Sequence, residues 1–191
     1  MENFKSIEIV DSSRRKVTIG AGVTYTDLME FLVNEGLALD NTAALPHISI
    51  VGSIMTGTHG SGIHNKAMSN IVSEVAFVDP KGELKRLSRG QDDEELKIFL
   101  HSFGALGIVY EMKIDVKDEY ALTKCIYADV PMDIINNEEN FNWLNYGYDF
   151  VAYFTDWKSD KFDTLYLGDR IANSDKNAMV RLRNQKWDHV C

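Results

Sequence analysis

The chain has 191 residues, 45% of them hydrophobic and 26% charged, with a formal net charge of −9 and a pI near 5.0. That length accommodates one large domain, or one domain and part of a second, with enough apolar material for a sizeable core. An acidic surface repels phosphate backbones, which argues against nucleic acid as a partner, and no apolar run approaches the length of a membrane span. The opening residues MENFKSIEIVDSSRRK lack the apolar stretch of a signal peptide. Only Cys125 and Cys191 are present, the latter at the chain end, so no structural disulfide is expected and the cytoplasm is the expected compartment.

In chain order, residues 7–10 and 17–19 are short apolar stretches on either side of Asp11-Ser12-Ser13-Arg14-Arg15, which predicts a β-hairpin. Gly20-Ala21-Gly22 follows as a turn. Thr24 then starts a helix, with Asp27 placed to complete a capping box. Tyr25, Leu28, Met29 and Leu32 recur at helical spacing and are expected to be its buried face, and Gly36 reads as the residue just past its end. Residues 71–78 and 83–87 read as strands joined by the turn Asp79-Pro80-Lys81-Gly82. Residues 91–102 read as a helix that buries Leu96, Phe99, Leu100 and Phe103 and stops at Gly104. Residues 107–116 alternate as a further strand. Near residue 118 the chain changes character and becomes rich in aromatics: Trp143, Tyr146, Tyr148, Phe150, Tyr153, Phe154 and Trp157. The predicted organisation is two domains, 1–118 and 119–191.

Residues 37–64 differ from the rest. The run Leu45-Pro46-His47-Ile48-Ser49-Ile50-Val51-Gly52-Ser53-Ile54-Met55-Thr56-Gly57-Thr58-His59-Gly60-Ser61-Gly62 is dense in Gly, Ser and Thr yet poor in charge. A solvated linker carries more charge and fewer apolar residues, so this run reads as buried irregular backbone whose polar groups need partners. A polar ligand is one source of such partners. Glycine tolerates positive φ and close approach, and successive N–H groups of such a turn converge on a pyrophosphate. A tight buried loop with no ligand fits the same composition. The run is not a Walker motif, because no Gly-Lys-Ser/Thr ending follows, and it lacks the strand-to-helix setting of a GxGxxG fingerprint.

On these residues, and on Val17-Thr18-Ile19-Gly20-Ala21-Gly22, Phe103-Gly104-Ala105-Leu106-Gly107-Ile108-Val109 and Phe154-Thr155-Asp156-Trp157, the chain resembles the vanillyl-alcohol oxidase/p-cresol methylhydroxylase type of FAD-binding domain. Within that superfamily it is most similar to the alditol (xylitol, sorbitol) oxidases, with the aldonolactone (gulonolactone, arabinonolactone) oxidases as near relatives. The resemblance implies an α+β fold: a mixed, mostly antiparallel sheet flanked by helices, followed by the start of an α+β substrate cap. It implies FAD as cofactor, a polyol or aldonolactone as substrate and oxygen as acceptor. Ser49, Gly52, Ser53, Gly57, Thr58, His59, Gly60 and Ser61 are then expected along the isoalloxazine, ribityl chain and pyrophosphate, with Ser49 also facing the substrate. Gly107, Ile108 and Val109 are expected at the adenosine end. His59 reads equally well as a residue that only holds the loop by a hydrogen bond.

The family's first FAD subdomain, with its flavin-linking histidine, has no counterpart ahead of Ile7, and its catalytic acid/base groups belong to later cap segments. The chain is therefore expected to be truncated at both ends, inactive by itself, without a nameable catalytic residue, and prone to self-association. Two rivals stand beside the polyol oxidase reading: a lactone oxidase or dehydrogenase of the same fold, and an inactive paralogue serving as a binding module. Other features read blandly. Asp92-Asp93-Glu94-Glu95 complements a helix dipole rather than holding a metal. The aromatics from 141 to 157 read as cap core, and Lys158, Lys161, Arg170, Arg181 and Arg183 as surface charge.

Overall fold

A computed structural model of the protein describes residues 4–11, 13, 15–171 and 189–190. The chain divides into two compact units, Met1–Gly60 with Lys66–Glu119, and Ser61–Asn65 with Tyr120–Cys191.

The first unit runs β1 (Ile7–Ile9), β2 (Lys16–Gly20), α1 (Tyr25–Asn34), β3 (Leu37–Ala38), α2 (Ile50–Met55), a 3-10 turn (Met68–Ile71), β4 (Val72–Val78), β5 (Leu84–Ser88), α3 (Asp93–Leu100), β6 (Ile108–Asp115) and β7 (Lys117–Asp118). Five strands form one sheet in the order β1-β2-β6-β4-β5, and every neighbouring pair is antiparallel. The period of two in β2 and β6 sorts Val17, Ile19, Met112 and Ile114 to the core. These side chains pack with Tyr25, Leu28 and Leu32 of α1, Ile50 and Ile54 of α2, and Leu96 and Phe99 of α3. The Phe77 and Phe99 rings lie 4.0 Å apart. Outside the core, Arg86 pairs with Glu74 at 2.7 Å and donates to the Tyr110 hydroxyl at 2.9 Å. Exposed pairs of this kind contribute little to stability.

Thr24 caps α1 by accepting from Asp27 N at 3.2 Å, while Asp27 Oδ2 accepts from Thr24 N at 3.0 Å, so the capping box is complete. These bonds from Thr24 hold the Asp27 carboxyl below its usual range. Two expected core residues lie outside. Met29 is 44% exposed, because α1 turns Tyr25, Leu28 and Leu32 inward and position 29 lies about 100° round from position 28. Phe103 is 76% exposed, because α3 ends at Leu100 and the backbone turns left-handed at Phe103, with φ 55°. The charge-poor run is also more regular than expected: it contains α2, capped by Ser49, whose Oγ accepts from Gly52 N at 2.9 Å.

The second unit holds Ser61–Asn65, then β8 (Ala121–Leu122), β9 (Cys125–Pro131), a 3-10 turn (Met132–Asn136), α4 (Glu138–Gly147), β10 (Phe150–Phe154), β11 (Lys161–Gly168), β12 (Arg170–Ile171) and β13 (His189–Val190). Its antiparallel sheet is ordered β10-β11-β9-β13, and β12 pairs with β8. Cys125, Tyr127, Val130, Leu144, Val151, Phe162, Leu165 and Leu167 form its core. The aromatics expected as core divide: Tyr148 is buried, whereas Trp143, Tyr146, Phe154 and Trp157 are exposed. Cys125 is disulfide-bonded, against the expectation of free thiols, since separation along the chain says nothing of distance in space. Arg181 and Arg183 lie outside the described residues. No helix among the described residues is long and apolar enough to cross a membrane.

Replacing Thr24 by Ala removes half of the capping box and should cost about 1 kcal/mol of stability, measurable as a lowered urea midpoint at unchanged m-value. An unchanged midpoint would show that α1 is held by packing alone.

Candidate functional site

The glycine-rich run is built outward from α2. Ser49 adopts extended backbone angles and pairs as an isolated bridge with Thr24, which fixes the start of the helix beside the start of α1. Tyr25 N donates to Ile48 O at 3.2 Å and Ile50 N to Val23 O at 3.0 Å, so the segment is stitched in place before the helix begins. Ser53 is buried, and its hydroxyl donates to Ile50 O at 2.8 Å. A serine hydroxyl has a single hydrogen, so the 2.7 Å contact with the Tyr25 hydroxyl is one in which Tyr25 donates and Ser53 accepts. Burial pushes the Tyr25 phenol above its ordinary pKa. Ser53 therefore braces α2 against α1, and its hydroxyl is already satisfied within the protein.

The helix ends at Thr56, and Gly57 follows in the left-handed region with φ 72°, where a side chain is strained. Thr58 N returns to Ser53 O at 2.9 Å, and Met68 N donates to Thr58 O at 3.4 Å. Phe103 N donates to Met55 O at 3.3 Å, which ties the segment after α3 to the end of α2. A Cβ on Gly57 would touch the His101 ring at 3.9 Å, whereas a Cβ on Gly60 would strike the Asn41 amide at 2.3 Å. Gly60 thus lies flat against Asn41, and any side chain there must displace that amide.

Residues 49, 52, 53 and 57–60 are brought together on one short helix and its exit loop. His59 is exposed and its Nδ1 donates to Gly60 O at 3.0 Å, the geometry of a residue that holds the loop. The backbone N–H groups of His59 and Gly60 have no acceptor among the described residues. Gly107, Ile108 and Val109 open β6 instead. A Cβ on Gly107 would stand 2.6 Å from Val78 O, so β6 starts pressed onto the end of β4. Val109 packs on the core, while Ile108 points outward and is 77% exposed, in register with Val78. Ser61 falls in the second unit, where Asn65 Nδ2 donates to its carbonyl at 2.7 Å.

Two further polar groups of the first unit were not singled out by sequence. Asn41 Nδ2 and Ser102 Oγ are buried without a hydrogen-bond partner among the described residues. Asn41 lies against Gly60, and Ser102 directly precedes the Phe103 that is bonded to α2. Unmet polar groups of this kind cost about 1–3 kcal/mol each and concentrate at functional sites. Backbone donors without partners, a glycine that admits close approach, and orphaned polar side chains together fit an extended, polar, phosphate-bearing group such as FAD. No set of three or more His, Cys, Asp or Glu side chains that could hold a metal ion occurs among the described residues.

A family model described as an FAD binding domain matches residues 1–88. Alditol oxidase of Streptomyces sp. (strain IKD472 / FERM P-14339) is 35% identical over 158 residues, or 83% of this chain and 37% of that protein. D-arabinono-1,4-lactone oxidase of Saccharomyces cerevisiae is 34% identical over 112 residues, 59% of this chain and 21% of that protein. A solvent-stable cholesterol oxidase superposes with a TM-score of 0.74 at 18% identity, covering 90% of this chain and 35% of that one, a likeness of fold. The chain thus spans a little over a third of the alditol oxidase it matches.

Gly60→Val is the direct test of the loop. The added Cβ must displace the Asn41 amide, so FAD affinity should fall by at least an order of magnitude while far-UV circular dichroism stays native. Equal quenching of flavin fluorescence by this variant and by the native protein would remove the loop from the site.

Proposed function

From the match of residues 1–88 to an FAD binding domain and the similarity to alditol oxidase, we propose that the protein oxidises a primary CH–OH group of a sugar alcohol with oxygen as the acceptor. The observation that carries this reading is the 35% identity with alditol oxidase over 83% of the chain.

Bound FAD supplies the two-electron acceptor for the C–H bond. The chain supplies the holding. The N–H groups of His59 and Gly60, with the hydroxyls of Thr58 and Ser61, serve the pyrophosphate and ribityl chain. Gly57 and Gly60 keep side chains out of that path. Gly52 and Ser53 form the floor along the isoalloxazine, Ser53 through its backbone because its hydroxyl is bonded to Tyr25 and Ile50. Gly107 lets β6 start close against β4, and the outward Ile108 gives the adenine an apolar cover, with Val109 anchoring the strand in the core behind it. Ser49 sits where the helix meets the substrate side and positions Gly52 through its cap. The proton acceptor for the hydroxyl is not assigned to any residue of this chain.

A second reading, oxidation of an aldonolactone, is favoured by the 34% identity with the yeast lactone oxidase. Peroxide release by the complete gene product, loaded with FAD, separates the two. Faster turnover of xylitol and sorbitol than of gulonolactone supports the first; the reverse order supports the second; and a protein that takes up no FAD overturns both.

Ser49 is tested by a pair of variants. A glycine at an N-cap costs only a few tenths of a kcal/mol, whereas alanine costs about 1 kcal/mol. If Ser49 acts only as a cap, Ser49→Gly should oxidise polyol normally and Ser49→Ala should be destabilised. If its hydroxyl meets the substrate, both should lose roughly three- to ten-fold in kcat/KM.

A further inference from the structure

Immediately beyond the glycine loop, Ser61–Asn65 is held within the second unit by a polar cluster that includes Arg170, which sequence read as surface charge. Asn65 Nδ2 donates to two backbone carbonyls, Ser61 O and Asp149 O, each at 2.7 Å. Asn65 Oδ1 accepts from Arg170 Nη2. Arg170 N donates to Asp149 Oδ2 at 2.7 Å, and its guanidinium lies 3.6 Å from Asp149 Oδ1. The Arg170 guanidinium also stacks over the Tyr120 ring at 5.4 Å, and Asp149 N donates to Asp169 Oδ1 at 3.3 Å. Gly62 has φ 95°, and a Cβ there would fall 2.0 Å from Asp149 O, so the segment presses directly onto the residue that the cluster fixes.

The Asn65 side chain bonds three partners at once, Ser61 O, Asp149 O and the Arg170 guanidinium. Its two donors span the start of the segment and the start of β10, and its acceptor takes the arginine. The Arg170 and Asp149 side chains are 22% and 31% exposed, sheltered enough for their bonds to be worth more than those of an open surface pair. We infer that Asn65 and Arg170 are positioning residues: with Asp149 they form a latch that fixes the backbone of residues 61–65, and with it Ser61 at the exit of the glycine-rich run. A glycine-rich segment has the largest conformational freedom to lose on ligand binding, and a clamp at its exit removes that freedom in advance. The latch rests on the reading of residues 57–61 as part of the FAD cradle.

The test uses Asn65→Ala, with Asn65→Asp as an isosteric second variant that keeps an acceptor for Arg170 but loses both donated bonds, and Arg170→Lys as the conservative partner. Hydrogen exchange in residues 61–65 is measured first, with far-UV circular dichroism to confirm the fold. Both Asn65 variants should exchange faster there, with the strands of the second unit unchanged. FAD titration should then show affinity weakened roughly ten-fold, the loss of two hydrogen bonds. Asn65→Ala combined with Arg170→Lys should be no weaker than Asn65→Ala alone, because a latch is broken once. Unchanged exchange in residues 61–65 overturns the latch whether or not FAD binds. Faster exchange with unaltered FAD affinity overturns its positioning role. A native protein that fails to bind FAD overturns the cofactor reading instead, and the exchange result then decides the latch on its own.

Discussion

Backbone buried away from water must have partners, and the glycine-rich run from Ser49 to Gly60 is organised by that requirement. Its apolar residues draw it inward: Ile50, Val51, Ile54 and Met55 are all buried. Its amides are then met in turn. Val23 and Ile48 bond the approach, Ser49 caps the helix, Ser53 braces Tyr25, and Thr58 returns to Ser53. The sequence of satisfied groups stops at His59 and Gly60. Two further polar atoms, Asn41 Nδ2 and Ser102 Oγ, also go unmet. Unmet donors beside a glycine that admits close approach are what a site awaiting a polar group looks like.

The elements that sequence identified best were those with strong periodicity or strong punctuation. The capping box at Thr24 and Asp27 appears as expected, and the strands around Asp79-Pro80-Lys81-Gly82 differ by a single residue at their starts. The sheet is antiparallel in every pair, a simpler topology than a mixed one. What sequence concealed has a physical cause in each instance. The helix after Ser49 has six residues, too few to establish a period, and its serines and glycine mimic a loop. Met29 was placed inside because it follows Tyr25 by four residues, although it lies about 100° round from the buried Leu28. Phe103 was placed inside by extending α3 past its true end. Arg170 and Asn65 are 105 residues apart, and no local pattern signals that they meet.

The site was legible to a similar degree. The clustering of Gly52, Ser53, Gly57, Thr58, His59 and Gly60 followed from one contiguous run. Individual roles did not, because they depend on which hydroxyl already has a partner. Ser53 has the same composition signal as Ser49, yet one hydroxyl is buried against Tyr25 and the other caps a half-buried helix start. Asn41 carried no signal at all; it acquires meaning only when Gly60 is seen lying on its amide.

Net charge constrains how such a site can work. A chain of charge −9 sets a background that opposes a dinucleotide's phosphates. Residues 45–62 contain no Lys or Arg to counter it. Attraction must therefore come from groups whose strength does not depend on net charge, namely oriented N–H dipoles and hydroxyls at hydrogen-bond range. Such donors act only over a few ångströms and only when correctly aimed, so they demand a backbone held in place before the ligand arrives. Rigidity in this run substitutes for the long-range pull that lysines would give. That accounts for the density of its internal bonds: the cap at Ser49, the brace at Ser53, the return at Thr58 and the side-chain bond of His59 to Gly60 all spend polar groups on fixing the path of a few amides.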